Sequence, residues 1–146
     1  EGDHKYAGCL NELVQKEGMA NCIHNCADLP HLDTQIKKWK PAIYSMAYYP
    51  LIPGSPSAKE TIQKGYADIS LMAGNIDPQG FVRWKTEKMV DMTKKLCNEV
   101  ITELKARDLG GRYCIASGCE VPPALSTKLE NIQACVDTTK QFGTFA

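Results

Sequence analysis

The feature that most constrains the fold is a repeated alternation of short apolar segments with longer amphipathic ones. The apolar segments have the length of short buried strands. They cover residues 19–24, 43–47, 69–73 and 113–116. Strands that alternate with helices in this way predict an α/β fold with a parallel sheet and right-handed crossovers.

The intervening segments have helical periodicity. The predicted helices cover residues 3–17 and 33–40, and three further helices begin near residues 57, 86 and 127. Gly65 ends the first of these three, and Gly110 and Gly111 end the second. Helix starts are predicted where polar residues have capping spacing: Ser57 with Glu60, Thr127 with Glu130, and Thr86 at the longest helix. The first helix collects Tyr6, Leu10, Leu13 and Val14 on one face, and the last one runs through Leu129, Ile132, Cys135 and Val136. The longest helix has an apolar stripe with the spacing of a buried face, which consists of Met89, Val90, Thr93, Leu96, Cys97, Val100, Ile101 and Leu104.

The segments that follow the four predicted strands hold the unusual residues. They are His24-Asn25-Cys26, Tyr48-Tyr49-Pro50, Gly74-Asn75-Ile76-Asp77 and Ser117-Gly118-Cys119-Glu120. An open doubly wound sheet and a barrel are both compatible with the alternation. The unusual residues after all four strands favour the barrel, because a (β/α)₈ barrel builds its active site from the carboxyl ends of its strands. Since a (β/α)₈ barrel needs eight strands, we expect residues 1–146 to form one domain of four β/α units, half of such a barrel. Its two open edges would need cover.

Composition excludes several classes of protein. Hydrophobic residues make up 43% of the chain, and 17 basic residues balance 17 acidic ones. No basic excess points to nucleic acid, and no apolar run is long enough to span a bilayer. The seven cysteines are an odd number in a chain large enough to fold without disulfides. We therefore expect free thiols and a cytoplasmic protein.

Two potential metal ligands stand at the end of the first predicted strand. Residues two apart on a strand point to the same side, so His24 and Cys26 would face one ion together. Cys119 follows the fourth strand, whose end lies on the same rim. Imidazole and thiolates are preferred zinc ligands, and this spacing does not match that of a zinc finger.

Several segments carry a family resemblance. Residues 116–123, with the sequence ASGCEVPP, and 130–136, with ENIQACV, resemble the last strand, loop and helix of the uroporphyrinogen decarboxylase superfamily. The AGNIDP turn at 73–78 is similar to the loop after its seventh strand. The resemblance runs from about His24 to Gly143 and implies the C-terminal half of a member's barrel.

Within that superfamily, the His24-x-Cys26 pair and late Cys119 resemble the zinc motif of corrinoid-dependent methyltransferases, such as the methylcobamide:coenzyme M methyltransferases. The resemblance implies Zn²⁺, a corrinoid protein as methyl donor, and a thiol or tetrahydrofolate-like acceptor. Cobalamin-independent methionine synthases share the motif but add a glutamate from an intervening strand, and residues 43–47 offer none.

Other residues at the strand ends are weaker candidates. Asp77 and Glu120 are candidate catalytic residues, although a turn and an exposed loop would also explain them. Tyr48, Tyr49 and Asn75 are candidates for contact with the corrin or substrate, with core packing as the alternative for the tyrosines.

Two other functions remain open. One is a decarboxylase-like enzyme acting on a tetrapyrrole, and the other is a non-catalytic half-barrel subunit. In each case we expect an N-terminal half-barrel chain, or a second copy of this chain, to complete the eight strands.

Overall fold

The computed structural model describes residues 2–123 and 125–145, with side chains from residue 5 onward. It contains four strands: β1 (Cys22–Asn25), β2 (Ile43–Met46), β3 (Leu71–Ile76) and β4 (Tyr113–Ser117). The helices are α1 (Gly2–Lys16), α2 (Leu32–Trp39), α3 (Ala58–Gln63), α4 (Tyr66–Ile69), α5 (Gly80–Arg83), α6 (Thr86–Ala106) and α7 (Leu129–Phe142).

The strands form one parallel sheet in the order β1-β2-β3-β4. Each strand pairs with the next one along the chain, and right-handed crossovers between such neighbours place their helices on the same face of a sheet. The predicted α/β class is therefore confirmed, and the arrangement is that of half a (β/α)₈ barrel.

One face of the sheet is covered and the other is open. Tyr44, Met46 and Met72 are fully buried in the main core, where they pack against α2, α3, α4 and α6. Side chains at alternate strand positions point the opposite way. On that open face Cys22, His24 and Cys114 are exposed, so the candidate ligand His24 lies where the interior of a complete barrel would be.

The predicted bounds of two strands, β1 and β3, were wrong. β1 begins at Cys22 rather than residue 19, because Met19 is still bonded to the end of α1, with its N–H donating to the Val14 carbonyl at 3.1 Å. β3 covers Leu71–Ile76 rather than 69–73, because Ile69 ends the short helix α4. Consequently residues 74–76 belong to a strand, and the turn begins only at Asp77.

Only one of the three predicted caps is present. Ser57 and Glu60 form the capping box of α3, with Ser57 Oγ accepting from the Glu60 N–H. At α6 the N-cap is Lys85, and Thr86 is already helical. At α7 the N-cap is Lys128, because the Thr127 hydroxyl instead donates to the Pro122 carbonyl.

The outermost helices leave apolar surface in solvent. Tyr6, Leu10 and Leu13 on α1 are more than half exposed. On α7 the predicted face was wrong: Cys135 is buried, but Leu129 and its apolar neighbours lie outward. The exposed large apolar residues of α7 are Leu129, Ile132 and Val136, and the buried residues of this helix are Asn131, Cys135 and Thr138. By contrast, the predicted face of α6 is largely confirmed, with Met89, Thr93, Cys97, Val100 and Leu104 buried.

None of the helices in the described residues is both long and apolar enough to cross a membrane.

Candidate metal centre

Three side chains from the two edge strands converge. His24 lies in β1, Cys26 follows it directly, and Cys119 is two residues beyond β4. Their ligand atoms all lie within 4.8 Å of one another. Three strand spacings in a flat sheet separate its edges by roughly 14 Å, so this convergence requires a curved sheet and loops that fold inward. In the described part of the chain it is the one such group of histidine, cysteine and carboxylate side chains.

The imidazole of His24 is oriented by a neighbouring strand. His24 pairs with Ser45 in the β1–β2 register, and the two side chains share the open face. His24 Nδ1 lies 3.0 Å from Ser45 Oγ. This hydrogen bond occupies Nδ1 and leaves Nε2 as the free nitrogen of the ring.

The two thiols contact each other directly. A hydrogen bond with Cys119, followed by burial and the charge of Cys119, raises the pKa of the Cys26 thiol. Two thiolates side by side repel one another, so the pair favours at least one proton in the absence of a cation. A divalent cation would reverse that preference, because metal ions bind the deprotonated form. Cys26 is exposed and Cys119 half-buried, so the centre is open to solvent.

Asn25 fixes the turn that carries Cys26. Its Oδ1 accepts a hydrogen bond from the Ala27 N–H at 2.9 Å, and its Nδ2 donates to Gln35 of α2 at 2.9 Å. A side chain that bonds the backbone two residues on makes a local turn. The turn is thereby tied to the helix layer on the covered face.

Gly118 sets the position of Cys119. Its N–H donates to the Ile76 carbonyl at 2.8 Å. A Cβ at Gly118 would lie 2.5 Å from the backbone nitrogen of Tyr48, which is far inside van der Waals contact. Only a residue without a side chain lets the β4 loop approach the β2 loop so closely.

The other end of the Cys119 loop is tied to the loop after β3. Buried Asn131 donates through Nδ2 to the carbonyls of Gly80, Phe81 and Trp84 at 3.3, 3.4 and 3.1 Å. Lys128 adds its N–H to the Phe81 carbonyl and its ammonium to the Trp84 carbonyl. The loop is therefore held at both ends, by Gly118 and by the start of α7.

Four of the weaker candidates line one cavity of about 230 Å³ at the carboxyl ends of β2 and β3. They are Tyr48, Tyr49, Asn75 and Asp77. Burial, and then the charge of Asp77, raises the pKa of Tyr48. Asn75 is buried and donates to the Ala47 carbonyl at 3.1 Å. Because Gly118 packs on Tyr48, the wall of this cavity and the Cys119 loop are in direct contact.

Sequence reasoning missed half of that cavity. The start of α3, Trp84 and one face of α6 form the rest of the wall, and the α6 residues are Met92, Lys95, Leu96 and Glu99. These α6 residues have the i, i+3, i+4, i+7 spacing of one helix face. That spacing could have predicted a second face of α6 in contact with a ligand. It was overlooked because the neighbouring stripe of the same helix is more apolar and gives the stronger pattern.

Glu120 does not join either feature. It is exposed, and it belongs neither to the three converging ligands nor to the cavity wall. Asp77 accepts from the Gln79 N–H at 2.9 Å, so it makes a turn in addition to lining the cavity.

Comparison with known proteins places the chain in a family. No curated protein matches it. The profile of the family described as uroporphyrinogen decarboxylase (URO-D) matches residues 6–142, which is nearly the whole chain. The match includes the three converging ligands and all four strands. The chain therefore belongs to the uroporphyrinogen decarboxylase family.

Proposed function

We propose that the chain is the C-terminal half-barrel of a zinc-dependent methyltransferase, which moves a methyl group from a methylated corrinoid protein to a thiol or tetrahydrofolate-like acceptor. The observation that carries the proposal is the convergence of His24, Cys26 and Cys119 within 4.8 Å at the carboxyl ends of two strands. A donor set of one imidazole and two thiolates is typical of zinc.

The residues fit Zn²⁺ in chemistry and in access. A neutral imidazole and two thiolates neutralise the charge of the cation, and a catalytic site uses three protein ligands with one position left open. His24 Nε2 is free because Nδ1 is bonded to Ser45. The centre is partly exposed, so an acceptor has access to that position.

When bound, Zn²⁺ would lower the pKa of an incoming thiol and hold it as an electron-rich thiolate. His24, Cys26 and Cys119 would hold the Zn²⁺, and the bound thiolate would serve as the nucleophile for the methyl group that the corrinoid partner supplies. The role of this chain is to bind and orient the acceptor. Holding two reactants in the right geometry lowers the activation barrier by more than a single contact does.

The cavity beside the Cys119 loop is the proposed place for the body of the acceptor or the edge of the corrin. Tyr48, Tyr49 and Trp84 give it aromatic walls, while Asn75 and Asp77 supply polar groups. A mostly apolar pocket with a few placed polar groups is the usual form of a small-molecule site. In this proposal Asp77 contacts the ligand, and Glu120 has no assigned part.

The proposed partner is a second half-barrel, either an N-terminal half or another copy of this chain. Three features support it: the open face of the sheet, its two free edges, and the exposed apolar residues of the flanking helices. Leu10 on α1 is 62% exposed and Leu129 on α7 is 76% exposed. Parallel sheets normally have both faces covered. The free thiols fit a reducing compartment, so we place the assembly in the cytoplasm.

A methyl-transfer assay tests the function. The assembled protein, loaded with zinc, is mixed with methylcobalamin and either a small thiol or tetrahydrofolate, and loss of the methyl–cobalt absorbance is followed. We expect turnover that Cys119→Ser abolishes and Cys114→Ser preserves, since Cys114 lies on the same open face outside the ligand set.

Equal turnover in both variants would contradict the proposal. Decarboxylation of a tetrapyrrole without methyl transfer would instead support the second function that family membership allows.

A further inference from the structure

We propose that Ser45 is a positioning residue of the metal centre. Its hydroxyl accepts a hydrogen bond from Nδ1–H of His24. The other ring nitrogen, Nε2, is thereby fixed as the one that binds a cation. The inference rests on the metal centre of the proposed function and adds a residue outside the ligand set.

Strand pairing places the hydroxyl. His24 and Ser45 are direct partners in the parallel β1–β2 register, and both lie on the open face of the sheet. The Nδ1–Oγ distance is 3.0 Å, which is within the usual range for a hydrogen bond. Because both residues belong to paired strands, the contact does not depend on a mobile loop.

The hydroxyl has no competing partner in the described residues. Ser45 pairs on its other side with Ala73 of β3, whose methyl group cannot form a hydrogen bond. The bond to His24 is the one hydrogen bond found for this side chain in the part of the chain that the structure describes. A serine in the middle of an otherwise apolar strand, Ile43–Met46, is thus explained by the imidazole beside it.

The consequence for metal binding follows from the two tautomers of neutral imidazole. One ring nitrogen carries the proton and the other offers a lone pair, and the partner of the protonated nitrogen decides which is which. Histidines that bind metal usually donate their second N–H to a nearby oxygen, and loss of that oxygen weakens metal binding by roughly 10–100-fold. A neutral hydroxyl should lie at the lower end of that range.

Zinc affinity of matched variants tests the inference. Competition with a chromophoric chelator gives the Kd for zinc of the assembled wild type, Ser45→Ala, Ser45→Thr and a remote hydroxyl deletion, Thr102→Ala. Thr102 lies exposed on α6, where its hydroxyl donates to the Asn98 carbonyl of the same helix. We expect Ser45→Ala to raise the Kd by about tenfold or more, while Ser45→Thr and Thr102→Ala stay within about threefold of wild type.

A Kd for Ser45→Ala within threefold of wild type would overturn the role of Ser45, as would equal weakening by alanine and threonine. Wild type that binds no zinc would overturn the metal centre itself, which is a different result.

A measurement on the wild type alone guards against a variant that fails to fold. Long-range ¹H–¹⁵N spectra of the zinc-loaded protein should show a proton on His24 Nδ1 and the metal on Nε2. Metal on Nδ1 would exclude the hydrogen bond to Ser45 and overturn the inference.

Discussion

Replacement of Gly118 by alanine should damage stability and metal binding together. The added Cβ would lie 2.5 Å from the Tyr48 nitrogen, 2.6 Å from its Cα and 2.7 Å from its Cβ. Two of these are backbone atoms, so rotation of a side chain cannot relieve the overlap. Ordinary contact begins near 3.4 Å, which means that the two loops must separate by about 0.9 Å. Overpacking of this kind costs roughly 1–3 kcal/mol.

The same movement carries Cys119 away from its partners. With metal–ligand bonds of about 2.0–2.3 Å, tetrahedral zinc needs its ligand atoms roughly 3.5–3.8 Å apart. The three ligand atoms lie within 4.8 Å of one another, close to that spacing. A further displacement of about 0.9 Å should therefore weaken zinc binding by at least about tenfold, the lower end of what loss of metal-site support costs.

Gly110→Ala is the matched control. Its Cβ would meet Phe145 at 3.5 Å, an ordinary contact, so we expect an effect between neutral and about 1 kcal/mol stabilising. Urea unfolding and chelator competition on the assembled proteins measure both quantities. If Gly118→Ala matched wild type within about 0.5 kcal/mol, a typical neutral range, and bound zinc equally well, the positioning role of Gly118 would be refuted.

Three further expectations concern cysteines, the α7 anchor and assembly. Alkylation under denaturing, non-reducing conditions should label all seven thiols. In the native protein Cys97 and Cys135 should be protected from alkylation, because they are buried. A mass that shows two or more disulfide bridges would contradict the expectation of free thiols. Asn131→Ala should destabilise by roughly 1–3 kcal/mol, because it removes a buried donor shared by three carbonyls, whereas exposed Gln133→Ala should change little; equal urea midpoints would refute the anchor. Sedimentation of the isolated chain should show association, and a monodisperse, cooperatively unfolding 16.1 kDa monomer would count against the half-barrel partner.

Periodicity and strand ends were enough to predict the architecture. The four strands, the parallel sheet and the burial of one α6 face follow from local pattern, and so does the meeting of His24 with Cys26. The place of Cys119 in the cluster followed from barrel geometry, because both edge strands end on the same rim.

The features that the sequence did not predict depend on contacts between segments that are distant along the chain. The Thr127 cap was wrong because a tertiary acceptor, the Pro122 carbonyl, competes for the hydroxyl. The outward face of α7 was missed because the helix buries Asn131 against the β3 loop in place of its apolar residues. The partnership of His24 with Ser45 needs the strand register, which no local pattern specifies.

The proposed function depends on a zinc ion held by His24, Cys26 and Cys119. Elemental analysis of protein purified without chelator measures it directly, on wild type, on Cys26→Ser/Cys119→Ser and on the matched pair Cys22→Ser/Cys114→Ser. The control thiols are exposed on the open face and lie outside the ligand cluster. We expect one zinc per assembled barrel in wild type and control, and none in the ligand double variant. Stoichiometric zinc in that double variant, or a wild type without zinc, would contradict the claim.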